Sequence, residues 1–145
     1  MKVFIVDDSA IIVEKLTAML SDIQGVKCIG NARDVAGAIR SIIELKPDVV
    51  ILDIRLGGGN GMDVLVRIKK ETPPPIIIML TNYPYPQYRE KCQALGANFF
   101  FDKVTDIGKI NHLIKELAMN KPDDMKKNQK KTDVESNHQK TQGRK

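Results

Sequence analysis

The sequence predicts an α/β fold in which five parallel strands form a doubly wound sheet with five helices. Five short apolar runs alternate with longer segments of helical period along the 145 residues. Three of these runs are unbroken and rich in β-branched residues, which is typical of parallel strands that are covered on both faces. Because parallel crossovers are right-handed and pass over the sheet, the intervening helices supply that cover.

The five apolar runs are the predicted strands. The second run contains Lys27, and a charge inside a strand favours a place at the edge of the sheet. The other four runs carry no charged residue. The strands are predicted at residues 3–6, 26–29, 49–52, 76–80 and 98–101.

The segments between the runs place apolar residues at helical spacing, and most of them begin with a residue that can cap a helix. The third helix should end before the prolines at 73–75, and the more polar fourth helix should end at Gly96. The candidate N-caps are Ser9, Asp34, Asn60 and, for the last helix, Thr105 or Asp106.

The positive charge of the chain is concentrated in its last residues. Residues 1–119 carry 15 Lys and Arg against 14 Asp and Glu, whereas residues 120–145 carry 8 against 4. A nearly neutral domain argues against a broad electrostatic surface for nucleic acid. The last segment has almost no aliphatic residues with which to offset the entropy cost of ordering. We therefore expect a folded domain at residues 1–119 and a disordered basic tail at residues 120–145.

Cysteine usage and the apolar segments indicate a cytoplasmic protein. Cys28 and Cys92 lie far apart and form no CxxC motif, which argues against a disulfide framework or a zinc site and fits a reducing compartment. The apolar run at 3–6 is too short for the core of a signal peptide. No segment has the roughly 20 apolar residues that span a bilayer, so we expect no membrane insertion.

Polar and charged side chains follow four of the five predicted strands. Asp7 and Asp8 follow the first strand, Asp53 follows the third, Thr81 follows the fourth, and Lys103 lies just beyond the fifth. The carboxyl ends of parallel strands lie along one edge of the sheet, where ligands bind in open α/β folds. These side chains should therefore converge, although they are distant in sequence.

Three carboxylates at one place favour a divalent cation. Their mutual repulsion would raise at least one pKa without a cation, and oxygen ligands without His or Cys select Mg²⁺. The hydroxyl of Thr81 and the ammonium of Lys103 suit the oxygens of a phosphoryl group. A carboxylate can act as a nucleophile and form an acyl phosphate, and Asp53 on the central strand is the candidate.

This arrangement resembles the site of the response regulator receiver domain of two-component systems. The segment 53–61 resembles the family's phosphorylation loop, with Leu56 three residues and Gly61 eight residues after Asp53. The segment 99–103 resembles the family's fifth strand and the lysine after it. The resemblance covers residues 1–119 and implies a flavodoxin-like strand order, 2-1-3-4-5.

The resemblance also implies roles for the residues of the site. A histidine kinase or a histidine phosphotransfer protein would donate a phosphoryl group to Asp53. Asp8 would bind Mg²⁺ directly, Asp7 would bind it largely through water, and the backbone carbonyl of Arg55 would add a ligand. Lys103 would pair with Asp53 and then with the phosphoryl group.

A conformational switch is implied as well. Thr81 would move towards the phosphoryl group, and Phe100 would rotate inward behind it. Arg55 and Tyr83 would flank the approach of the water that removes the phosphoryl group from Asp53, unless both side chains point to solvent. Neither can act as a base for that water, so the phosphorylated state should be long-lived for a receiver.

The expected output is a phosphorylation-dependent contact with a downstream protein, and the chain is not expected to be an enzyme. An attached effector domain is not expected, because the tail is shorter than the ~50 residues that a domain needs. One alternative is a small Mg²⁺-dependent aspartyl-phosphate phosphatase. Such an enzyme usually needs an acid two residues after its nucleophile, where Arg55 follows Asp53. The other alternative is a nucleic-acid binder that uses the basic tail, with a steep salt dependence.

Overall fold

The computed structural model describes residues 1–120 and contains the five strands and five helices predicted. The predicted disordered tail begins at residue 120, and its remaining residues, 121–145, lie outside the described residues. The sheet strands are β1 (Lys2–Val6), β2 (Lys27–Ala32), β3 (Val49–Leu52), β4 (Ile76–Thr81) and β5 (Phe99–Asp102). The helices are α1 (Ala10–Ser21), α2 (Val35–Leu45), α3 (Gly61–Ile68), α4 (Pro86–Ala94) and α5 (Ile107–Asn120). None of the described helices combines the length and the apolar character that a membrane span requires.

All neighbouring strands of the sheet are parallel, in the order β2-β1-β3-β4-β5. This order confirms the predicted topology, and β2, which begins with Lys27, lies at an edge. β2 extends further than predicted because it pairs with β1 as far as Ala32. The register shifts near Gly30, which has a φ of 159°. This irregularity interrupts the apolar pattern, so the sequence did not predict the last residues of the strand.

The core consists of two apolar layers, one on each face of the sheet. Phe4 and Val6 of β1 pack with α2, α3 and α4. Val3 and Ile5, which alternate with them, pack with α1 and α5. All residues of β3 and β4 are buried, which explains why their sequences are continuous apolar runs.

The predicted caps determine where most helices begin. The side chain of Ser9 accepts a hydrogen bond from the amide of Ile12, and Asp34 and Asn60 cap α2 and α3 in the same way. Of the two candidates for the last helix, Asp106 precedes it, and the Asp106 carbonyl accepts from the amide of Ile110. The start of α4 has no side-chain cap and depends on Pro86 at its first turn.

A short antiparallel ladder between Arg55–Leu56 and Gly59–Asn60 was not predicted from the sequence. It folds the loop after β3 back on itself and buries Leu56. Gly57 forms a bridge with Asp34, so the loop also contacts the start of α2. The ladder thereby fixes the segment that follows Asp53.

The two cysteines are free thiols, as predicted. Cys92 lies in the core beneath α4, and its burial raises the pKa of its thiol to about 11. Cys28 is half-buried on β2.

The close approach of α3 to β3 depends on Gly61. An added Cβ at Gly61 would overlap the carbonyl oxygen of Asp53. The amide of Gly61 donates to the carbonyl of Ile54, so the backbone cannot shift without loss of this bond. We expect Gly61→Ala to lower the free energy of unfolding by about 1–3 kcal/mol, measured by urea denaturation.

Gly108 provides the matched control, because a Cβ there would meet no atom within 4 Å. Gly108→Ala in α5 should raise the free energy of unfolding by roughly 0.5–1 kcal/mol. Equal effects of the two substitutions would contradict the steric role of Gly61.

Candidate functional site

Three carboxylates meet at the carboxyl edge of the sheet. One oxygen each of Asp7, Asp8 and Asp53 lies within 4.8 Å of the other two. Asp7 and Asp53 are buried, whereas Asp8 is exposed to solvent. The structure thus brings together the three acids that the sequence placed at two strand ends.

The ammonium of Lys103 lies between two of these carboxylates. Its Nζ is 2.7 Å from Oδ2 of Asp53 and 2.8 Å from Oδ2 of Asp7. The sequence predicted that these side chains converge and that Lys103 pairs with Asp53, whereas the direct contact with Asp7 depends on the spacing of β1, β3 and β5 and was not predicted. Three acids around one ammonium leave an excess of negative charge at the site.

Backbone amides hold the remaining oxygens of the two buried acids. Oδ1 of Asp7 accepts a hydrogen bond of 2.8 Å from the amide of Ser9. Oδ1 of Asp53 accepts one of 2.7 Å from the amide of Ile54. Both side chains are therefore fixed in orientation, since each is held at both oxygens.

Burial and the contacts between Lys103 and the two acids together shift the pKa values of the site. Burial raises the pKa of Asp53, and the nearby charge of Asp7 raises it further, although the hydrogen bond from Lys103 acts in the opposite direction. Burial alone would lower the pKa of Lys103, but the hydrogen bonds to Asp53 and Asp7 outweigh it, so this pKa lies above its ordinary value. Lys103 is therefore charged at neutral pH, and a cation at the acids would favour the ionised form of Asp53.

The loop after β5 places Lys103 by hydrogen bonds of its own. The amide of Lys103 donates to the carbonyl of Thr81 at 2.8 Å. The carboxylate of Asp102 accepts from the amide of Val104, and that of Asp106 accepts from the amide of Asp102. The hydrogen bond from the Asp102 amide also lowers the pKa of Asp106. The sequence indicated Asp106 only as a helix cap and gave no sign of this second role.

Thr81 is fully buried at the end of β4. Its Oγ1 accepts a hydrogen bond of 3.0 Å from the amide of Tyr83. The side-chain hydrogen-bond partners of Asp53 are Lys103 and Ile54 rather than Thr81. The hydroxyl of Thr81 is thus engaged by its own loop.

Arg55 and Tyr83 lie together beside the site. The guanidinium carbon of Arg55 is 4.1 Å from the centroid of the Tyr83 ring, a distance typical of a cation–π contact. The two residues that were predicted to flank the approach to Asp53 therefore contact each other, with Arg55 exposed and Tyr83 half-buried.

Phe100 is half-buried on β5 and packs in the layer of α2, α3 and α4. Phe99 and Phe101 lie in the opposite layer, as the alternation along the strand predicts, and their rings stack at 6.4 Å. Phe100 pairs with Met79 of β4, two residues before Thr81.

The model of the response regulator receiver domain family matches residues 3–115 of the chain. Sensory transduction protein LytT of Bacillus cereus is 30% identical over 139 residues, which are 96% of this chain and 52% of that protein. Protein-glutamate methylesterase/protein-glutamine glutaminase 2 of Koribacter versatilis is 38% identical over 99 residues, 68% of this chain and 27% of that protein. The chain thus spans about half the length, or less, of these curated relatives.

Solved structures of receiver domains are similar to this chain in fold. The response regulator domain of Thermotoga maritima CheB has a TM-score of 0.74 at 26% identity, over 85% of this chain and 96% of that one. A chain of the CheX-CheY-BeF3-Mg+2 complex from Borrelia burgdorferi has a TM-score of 0.72 at 27% identity, over 82% of this chain and 88% of that one. From the family match over residues 3–115 and this likeness in fold, the chain belongs to the response regulator receiver domain family of two-component signalling.

Proposed function

We propose that Asp53 accepts a phosphoryl group from a histidine kinase or a histidine phosphotransfer protein, and that the phosphorylated domain signals by binding a downstream protein. The observation that carries this proposal is the position of Asp53. Its buried carboxylate lies 2.7 Å from the ammonium of Lys103 and within 4.8 Å of two further carboxylates, at the edge of the sheet where α/β proteins bind ligands. We assign this activity to residues 1–119 and place it in the cytoplasm.

The donor set fits Mg²⁺. Carboxylate oxygens from Asp7, Asp8 and Asp53, without His or Cys, are the ligands of a hard divalent cation. The backbone carbonyl of Arg55 would add a ligand. When bound, Mg²⁺ offsets the negative charge of the acids and of the phosphoryl oxygens.

In the transfer, an oxygen of Asp53 attacks phosphorus while the bond from phosphorus to the donor's histidine nitrogen breaks. The histidine nitrogen takes the electron pair, and Asp53 becomes an acyl phosphate. Lys103, already held beside Asp53, exchanges the carboxylate for a phosphoryl oxygen. Thr81 donates its hydroxyl to the phosphoryl group, and Phe100 turns inward behind it.

The two alternatives have weaker support. A phosphatase of this kind usually needs an acid two residues after its nucleophile to protonate the leaving group, and that position after Asp53 is Arg55. Nucleic-acid binding would depend on the basic tail, most of which lies outside the described residues. We therefore propose a signalling role, in which the domain catalyses only its own phosphorylation and slow dephosphorylation.

Acetyl phosphate with Mg²⁺ should transfer one phosphoryl group to the protein, because a small donor needs only the site itself. Intact mass spectrometry would detect the product. EDTA should prevent uptake, and Asp53→Asn should abolish it. Asp63→Asn, an exposed acid on α3, is the control that should retain it. Persistence of the label in Asp53→Asn would contradict the assignment.

Mg²⁺ should raise the Tm by roughly 5 °C or more relative to EDTA, because it relieves repulsion among the three acids. The raised pKa means that Asp53 keeps its proton to a higher pH than an ordinary carboxyl. Mg²⁺ competes with that proton, so the shift should shrink as the pH falls from 8 to 5. Thermal melts would measure it. Asp8→Lys should remove the shift, Asp63→Lys should not, and a shift unchanged in Asp8→Lys would count against the metal site.

The stacked pair of Arg55 and Tyr83 should slow dephosphorylation by covering the approach of water to the acyl phosphate. In Arg55→Asn with Tyr83→Glu the cover is removed and a carboxylate can orient the water, so the phosphoprotein should decay roughly tenfold faster without a phosphatase. Gel-shift or mass measurements over time would give the rate. Arg40→Asn on α2 should decay as the wild type does, and equal or slower decay in the double variant would refute the cover.

A further inference from the structure

Arg89 of α4 is bound to Phe100 of β5 by two contacts. Its guanidinium carbon lies 4.6 Å from the centroid of the Phe100 ring. Its Nη1 donates a hydrogen bond of 3.3 Å to the Phe100 carbonyl. None of the ion pairs found within residues 1–120 includes Arg89. An exposed arginine that stacks on a ring instead of pairing with an acid is available to act on that ring.

The ring of Phe100 is not enclosed by close packing on this side. A cavity of about 170 Å³ opens between α4 and β5 next to the ring. It is lined by Arg89, Gln93, Ala97, Asn98, Phe99 and Phe100. Cys92 of α4 belongs to the apolar layer against which Phe100 packs, and Arg89 contacts the ring where Phe100 borders this open space.

The position of Phe100 is connected to that of Thr81 through one layer of the core. Phe100 pairs with Met79, and both pack in the same layer. Thr81 follows Met79 by two residues, so its side chain faces the same side of the sheet. A ring that turned inward from Phe100 would therefore move towards the space beside Thr81.

We propose that Arg89 is a positioning residue that holds Phe100 in its unphosphorylated position and thereby opposes the switch; this inference rests on the proposed function. In this structure the guanidinium contacts the ring while the Thr81 hydroxyl accepts from the amide of Tyr83. An inward turn breaks the stack. Because the stack stabilises one of two states, it lowers the apparent affinity for any ligand that favours the other state.

Beryllofluoride with Mg²⁺, which occupies the place of a phosphoryl group, is the probe for the test. Its affinity would be measured by NMR titration of the full chain. Arg89→Met should bind beryllofluoride about two- to fivefold more tightly than the wild type, since the stack no longer opposes the switch. The affinity of Arg89→Lys should stay near that of the wild type because the lysine keeps a cation over the ring. Arg40→Met on α2, the control, should also bind with the affinity of the wild type. General damage to the fold would weaken binding, so the direction of the change is diagnostic.

A double-mutant cycle isolates the contact. In a Phe100→Leu background, which lacks the ring, Arg89→Met should leave the affinity unchanged. A gain in affinity that persists in this background, or no gain from Arg89→Met alone, would overturn the role of Arg89. In either case, binding of beryllofluoride by the wild type would still support the phosphoacceptor site. If the wild type failed to bind beryllofluoride, both proposals would fall.

Discussion

One buried ammonium holds the functional edge of this protein together. Lys103 lies between the carboxylates of Asp7 and Asp53, and all three side chains are removed from water. A buried charge is tolerated only when it is paired, so the ends of β1, β3 and β5 must meet at a fixed spacing. The parallel sheet supplies that spacing through its register, and Asp8, on the solvent side, leaves the cluster negative.

The strand that leads into Lys103 carries the residue proposed to report on the site. Phe100 and Lys103 are three residues apart, and β5 between them is paired with β4, which ends in Thr81. Only a few residues of paired strand therefore separate the site from the face formed by α4 and β5. Because packed cores have discrete arrangements, the proposed movement of Thr81 would be coupled to the ring of Phe100 through this short stretch of paired strands.

The sequence predicted what depends on local pattern and missed what depends on distant contacts. β3 and β4 were evident because a strand buried on both faces must be apolar throughout, and Ser9, Asp34 and Asn60 were evident because a cap acts within three residues. The end of β2 was missed because its irregular pairing at Gly30 has no apolar signature. The direct contact of Lys103 with Asp7 was missed because the order of the strand ends predicts which side chains converge but not which pairs touch.

The same division applies to function. The chemistry proposed here needs only five side chains at strand ends, and these produced the resemblance to receivers. On the proposals above, the lifetime and the balance between states depend instead on two arginine contacts: Arg55 over Tyr83, which the family resemblance indicated, and Arg89 over Phe100, which the sequence did not indicate. Each stack contributes about 0.5–1 kcal/mol at an exposed site, which is enough to change a population severalfold when only a few kcal/mol separate two conformations of a switch. On these proposals, receivers that share the five residues would still differ in lifetime and set point, because such aromatic contacts vary independently of the phosphorylation chemistry.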